Sequence, residues 1–254
     1  YNNVLIESFL TYSEYQHQYK KRNTSLTSGF VATTFMGETG SYGGRLEGVN
    51  YSLYTQYDQK VGDFNISTGA RYEIFDLDTI RIAKPVFRGG LNYEVIEGLN
   101  LRTSYGQGFR FPSIAEMFMQ GEIGPINLYN NPNLQPESGW TSELGLKKSF
   151  TFSKWKGYID LVGFLMEYNN MMEFTFGTYL PDSVTLVSLD PNAPNYFGNY
   201  IGFQAQNAEK ARITGFEVSF NSQGKIKDVE LTSLIGYTYM NPISLNQDSA
   251  YLAT

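Results

Sequence analysis

The 254-residue chain carries 25 acidic against 19 basic side chains, a net charge of -6, which argues against a nucleic-acid partner because phosphates call for a basic surface. It has no cysteine, which excludes disulfide scaffolds, thiol catalysis and zinc-cysteine sites. No apolar run reaches the roughly 18 residues of a transmembrane helix, and Tyr1-Asn2-Asn3 does not open a basic-then-apolar leader, so no signal peptide is expected within these residues.

Period two organises the chain. About ten strands are predicted, at 4–19, 25–36, 46–59, 63–75, 83–96, 99–109, 139–151, 156–175, 199–220 and 229–241. In the fourth, Phe64, Ile66, Thr68, Ala70, Tyr72 and Ile74 alternate with Asn65, Ser67, Gly69, Arg71 and Glu73, one greasy face against one small or charged. The same alternation runs through Leu99 to Gly106 and through Val229 to Tyr237, where Leu234 is the exception.

The connections alternate as well. Tight turns are expected at Lys20 to Thr24, Lys60 to Asp63, Glu97-Gly98, Ser153-Lys154 and Asn221 to Asp228, and longer loops at 37–45, 76–82, 110–138 and 176–198. Short connections at one end and long ones at the other are the pattern of an antiparallel transmembrane β-barrel, and several strands exceed the 5 to 6 residues usual in soluble sheets. Aromatic residues are 16% of the chain, and the pairs Tyr72 with Phe75, Tyr105 with Phe109 and Tyr237 with Tyr239 sit near strand ends, where an interfacial girdle would need them. Basic residues gather at the tight turns (Lys20, Lys21, Arg22, Lys60, Lys154, Lys156, Lys225, Lys227). The long loops lean acidic (Glu38, Asp76, Asp78, Glu116, Glu122, Glu137, Asp182, Asp190) and would not by themselves attract a strongly anionic ligand.

The stretch from 104 to 147 breaks the alternation. Gly106 and Gly108 remove side chains where the strand must bend or admit another backbone, Pro112 removes a donor so that pairing stops, and Ile114 to Met117 read as a helical turn. Pro132 and Pro136 stiffen the excursion, and Glu137 and Glu143 stand where the chain re-enters the sheet, with Arg110 expected to pair with one of them. The Gly-rich run Gly37 to Gly44 has no strand-to-helix setting and is expected to be a flexible loop rather than a phosphate cradle.

Ser104-Tyr105-Gly106, Gly108-Phe109-Arg110-Phe111-Pro112-Ser113 with Glu116, Asn131-Pro132-Asn133-Leu134 with Pro136-Glu137, and Glu143-Leu144-Gly145-Leu146-Lys147 follow one another in the order and spacing that resembles the barrel of TonB-dependent receptors of Gram-negative outer membranes. Gly163-Phe164 and Ala211 to Glu217 resemble the strands that follow in that family, and Tyr51 to Tyr57 and Gly69 to Tyr72 those that precede. The resemblance implies an importer with a barrel of 22 strands closed by a plug, which takes a scarce nutrient inward when a TonB-type energy-coupling protein pulls on the plug. Residues 1–254 are therefore expected to be part of such a barrel, in contact with outer-membrane lipid and the rest of the receptor, without the plug. The stretch Asn241 to Thr254 is expected to enter a further long loop.

The motif residues Gly108, Phe109, Arg110, Pro112, Glu116, Asn131, Pro132, Leu134, Pro136, Glu137, Glu143 and Gly145 are expected to act mainly in shaping the loop, and Tyr129, Tyr179, Tyr196 and Phe197 are candidate contacts for a small-molecule ligand. Haem importers of the family carry a histidine between the two motifs, and residues 113–130 have none; His17, the single histidine, reads as an ordinary polar position. Gln135-Pro136-Glu137 stands where glycan importers that work with a surface lipoprotein would show Lys-Trp-Glu. A ferric siderophore, cobalamin or a small peptide is favoured, with a passive porin-like or structural barrel, or a glycan or peptide importer working with a surface lipoprotein, as the alternatives. No catalytic residue, cofactor or metal ligand is expected, since a His-dependent mechanism would rest on His17 and no G-x-S-x-G elbow occurs.

Overall fold

The computed structural model describes residues 7–124, 126–180 and 187–245. Ten long strands form one sheet: β1 (Glu7–Lys21), β2 (Thr24–Thr39), β3 (Gly44–Val61), β4 (Phe64–Leu77), β5 (Ile80–Ile96), β6 (Leu99–Arg110), β9 (Glu137–Phe152), β10 (Trp155–Thr178), β11 (Ile201–Ile226) and β12 (Val229–Ser244). Each pairs antiparallel with its neighbour in this order. Between β6 and β9 the chain builds a short helix α1 (Ile114–Phe118) and two short strands, β7 (Gly121–Ile123) and β8 (Ile126–Tyr129). Strand β8 pairs in parallel with the start of β11, Gly202 to Gln204 facing Asn127 to Tyr129.

Cross-strand register sorts the side chains into two faces, because partners in a ladder point the same way. One row reads Phe64, Tyr93, Leu101, Leu146, Leu161, Val218, Tyr237 across seven strands, apolar throughout. The row beside it on the opposite face reads Asn92, Arg102, Gly145, Val162, Glu217, Thr238. In lipid the apolar rows face the hydrocarbon and the polar rows the interior, so the alternation expected in β4 is the two sides of a membrane wall. His17 pairs with Ser28 on the lipid-facing side between Tyr15 and Tyr19.

The tight turns close with two residues each, and at Arg22, Asp78, Ser153 and Lys227 the first of them has a left-handed φ of 52 to 55°. Two of the four loops expected to be long are short as well, one of four residues and one of two. The 37–45 stretch contracts to a 3-10 turn at Gly40–Tyr42, with Gly43 left-handed at φ 76°, and 76–82 contracts to Asp78-Thr79. The Gly37 to Gly44 run is thus an ordered hairpin end rather than a flexible loop. The strands run on because Phe35, Leu46, Phe75, Leu77 and Ile80, apolar residues near their outer ends, pack together on the polar face. Strand β12 likewise runs through Asn241 to Ser244, where a loop was expected; residues 246–254, and Asp182 among the acidic loop positions, lie outside the described residues.

That apolar patch is the core. Phe75, Leu77, Met117, Leu134 and Ala205 are buried in it, flanked by Phe35, Phe111, Ile114, Phe118 and Met172. Phe75 stacks on Phe35 at 5.4 Å and on Phe111 at 4.5 Å, so it serves the loop core and not the girdle expected from its pairing with Tyr72. Tyr72, Tyr105, Tyr237 and Tyr239 are exposed on the lipid side.

Candidate functional site

The excursion from 111 to 136 lies across the outer ends of the strands, and its anchors explain why those residues are there. Pro112, almost fully buried, ends β6. Ser113 then caps α1 in a reciprocal box: Glu116 N donates to Ser113 Oγ (3.2 Å), and Glu116 Oε2 accepts from Ser113 N (2.8 Å) and Ser113 Oγ (2.8 Å). Met117 and Leu134, with 0% and 2% exposure, point into the core. One side of the excursion is tied to the β2–β3 turn by Gln120 N donating to Ser41 O (2.8 Å).

The other side is tied to β11. Asn131 Nδ2 donates to Ala205 O (2.9 Å), Gln204 Nε2 to Asn130 O (2.9 Å), and Gln135 and Asn207 exchange a reciprocal pair at 2.8 Å. Asn127 Nδ2 reaches both Asn199 O and Ile201 O at 3.1 Å. Asn131 also accepts from Asn133 N through its own side chain (3.1 Å), the local turn that places Pro132 on the outside.

At the root stands Arg110, the last residue of β6, opposite Glu137, the first of β9. Its Nε and Nη2 donate to Glu137 Oε2 (2.9 Å) and Oε1 (3.0 Å), and its Nη1 and Nη2 donate to Glu116 Oε2 (2.8 Å) and Oε1 (2.9 Å). The guanidinium therefore grips two carboxylates with both edges of its fork. Glu137 Oε1 additionally accepts from Met172 N (2.7 Å), where a bulge in β10 after Tyr168 frees that amide. Burial works against the Glu116 charge, and the hydrogen bonds from Arg110 and Ser113 outweigh it, holding this carboxyl below its ordinary range. The expected Arg110 partner is thus Glu137; Glu143 instead accepts from Ser104 Oγ (3.3 Å), and Glu116 is the partner that sequence reasoning missed.

Phe109 meets Phe111 edge-on at 4.9 Å. Gly145 is buried because the Arg102 side chain lies over it, with Nε 2.8 Å from where a Cβ would stand, on its way to Asp160 Oδ2 (2.9 Å). Gly106 and Gly108 depart from expectation: nothing among the described residues comes within 4 Å of their missing Cβ positions, so they admit no close backbone here.

The four aromatic candidates form two pairs. The Tyr129 and Tyr179 rings lie 5.4 Å apart, and those of Tyr196 and Phe197 5.1 Å apart. All four are half-buried rather than exposed. Tyr129 Oη donates to Asn199 O (3.3 Å) and Tyr179 Oη to Thr175 O (2.7 Å), so their hydroxyls hold the loops. Among the described residues no group of three or more His, Asp or Glu is placed to hold a metal.

The family model described as "TonB dependent receptor-like, beta-barrel" matches residues 6–253. A curated relative, the "Probable hemoglobin and hemoglobin-haptoglobin-binding protein 3" of Haemophilus influenzae, is 29% identical over 133 residues, which is 51% of this chain and 11% of that protein. Among solved structures, the Serratia marcescens hemophore receptor HasR, in complex with its hemophore HasA and heme, superposes with a TM-score of 0.70 at 15% identity over 93% of this chain and 42% of its own. The siderophore receptor PirA from Pseudomonas aeruginosa does so with a TM-score of 0.67 at 14% identity over 94% and 44%. The match thus spans less than half the length of each of these proteins.

Proposed function

The chain belongs to the TonB-dependent receptor β-barrel family, and from that premise we propose that it forms part of the wall of an outer-membrane importer that binds a scarce nutrient outside and moves it inward with TonB-coupled energy. The observation that carries the reading is the family match over residues 6–253, and the fastening of the 111 to 136 excursion across the polar face at Ser41, Arg110 and Ala205 agrees with it. The partners this reading calls for are outer-membrane lipid on the apolar rows, a plug and further strands completing the barrel, and an energy-coupling protein acting on the plug. The cargo is a small molecule such as a ferric siderophore or cobalamin, with no nucleic acid involved. Catalysis forms no part of the proposal.

A second reading, haem or a haem protein as cargo, is favoured by the name of the Haemophilus relative and by the ligands in the HasR complex. Against it stands the chain's histidine: the one it has, His17, is on the lipid-facing side of β1, away from the loop. Deletion of the gene in its host, followed by growth under iron or cobalamin limitation with each candidate compound, tests both. Loss of rescue by one compound, reproduced by removing the energy-coupling protein, is expected. Rescue by every compound in the deletion strain, or ion conductance through a permanently open channel, would refute the importer.

A further inference from the structure

Several glycines on the polar side of this wall lie beneath a long side chain from the next strand. Tyr54 covers Gly29, Phe35 covers Gly48, Arg88 covers Gly69 and Phe164 covers Gly215. At Gly106 and Gly108, as at Gly236, the backbone is bare, here in a central strand where glycine costs stability. Gly106 pairs directly with Arg88, and Gly108 borders a recess of about 560 Å³ on the same face, shared with Tyr12, Glu14, Tyr54, Arg71 and Arg88.

Among the charges of this recess Arg71 is met by a carboxylate, whereas Glu14 and Arg88 are each met by neutral groups alone. Glu14 accepts a phenol hydroxyl on each oxygen, from Tyr12 (2.5 Å) and Tyr54 (2.6 Å). Arg71 pairs with Glu73, which also accepts from Asn50 Nδ2 (3.2 Å). Arg88 has a neutral partner alone: its Nη2 donates to Gln56 Oε1, and Gln56 is itself turned by donating to Asp58 Oδ1 (2.9 Å) and Oδ2 (3.0 Å). Its Nε and Nη1 have no acceptor among the described residues, and no carboxylate stands within ion-pair reach. A guanidinium laid over a glycine, fixed at one nitrogen and with its other nitrogens turned to a recess, is arranged to receive an acceptor.

We propose that Arg88 anchors an oxyanion site on the interior wall, taking a carboxylate-class group that enters the recess beside Gly106 and Gly108. The planar fork suits a carboxylate, and the tyrosine hydroxyls, already given to Glu14, leave Arg88 to supply the recognition. The proposal rests on the interior reading of the polar face, and it deepens the importer by naming the chemistry of one station on its path. The carboxylate has two possible sources: the cargo, or the protein segment that fills the barrel.

The test uses the receptor carrying this chain, purified in detergent, as wild type, Arg88→Gln, Arg88→Lys and the remote control Arg81→Gln. Calorimetric titration with citrate and thermal unfolding are read side by side. Citrate binding weakened about tenfold or more by Arg88→Gln and partly restored by Arg88→Lys, with unfolding unchanged, assigns the site to cargo. No citrate binding in the wild type, with a lower unfolding temperature in Arg88→Gln that Arg88→Lys restores, assigns it to a protein carboxylate. If Arg88→Gln matches wild type and Arg81→Gln in both readouts, or Arg88→Lys restores nothing, the site does not exist. Growth rescue in the deletion strain reads import regardless of Arg88, so the two proposals fail separately.

Discussion

Replacing Arg110 with alanine removes four N–H···O contacts to two carboxylates and leaves Glu116 and Glu137 facing each other with like charge. Charge-assisted hydrogen bonds contribute about 1.5–3 kcal/mol each where buried. Here the Arg110 side chain is 47% exposed and the carboxylates 20% and 22%, so solvent screens much of that and the whole clamp is worth roughly 2 kcal/mol. Those contacts hold the excursion and not the wall, whose ladders are untouched. The open population of residues 111–136 should therefore rise about 30-fold while the strands stay closed. Hydrogen exchange read peptide by peptide on the membrane-embedded receptor measures this, and Arg110→Lys, which keeps the charge but loses the planar fork, should fall between. Exchange in 111–136 within about twofold of wild type, or an equal acceleration in β6 and β9, would refute the clamp.

Because the Glu116 carboxyl is held below its ordinary value of about 4.3, its ionised form stabilises the loop fully above that pH and loses the effect as pH falls through the lowered value. Loop exchange, corrected for the intrinsic rate, should accelerate on acidification below about pH 4.3, and Glu116→Gln should flatten that profile; an unchanged profile in the variant would remove the assignment. Leu134→Ala and Met117→Ala, both at fully covered positions, should each open the loop by about 2–3 kcal/mol, at the lower end of the range for buried large-to-small changes because the core is one patch thick. Limited proteolysis within 111–136 would report it, and resistance equal to wild type would count against the core. Leu146→Arg, in an apolar row, should cost about 2–4 kcal/mol of folding into bilayers, whereas Asn65→Arg on the polar face should cost far less; equal costs would mean that the faces are misassigned.

The two faces of the wall were legible because lipid and interior impose opposite chemistries on alternate residues, and Leu101, Leu146 and Leu161 meet in register as that alternation requires. The exceptions misled in an instructive way. Phe75 and Leu77 are apolar on the polar face, so a period-two reading ends the strand there and opens a loop, whereas the strand continues and a segment some 40 residues later covers them. What lies over a surface is not written in its own periodicity. The Arg110 to Glu137 contact could be anticipated because the two residues end adjoining strands; the two roles of Glu116, in the cap and in the clamp, depend on where α1 points. Strands β7 and β8 gave no local sign, since the parallel partner of Asn127 to Tyr129 is supplied by residues 202–204.

The excursion also has a mechanical meaning. Its attachments, from Ser41 through Arg110 to Ala205, join strands that are far apart around the wall, so it acts as a strut between points that the sheet alone connects only through the strands in between. A tug delivered at one of these points is shared among the others and cannot be absorbed by local bending. The outer rim then changes its outline as one piece, or not until a tie at Ser41, Arg110 or Ala205 breaks.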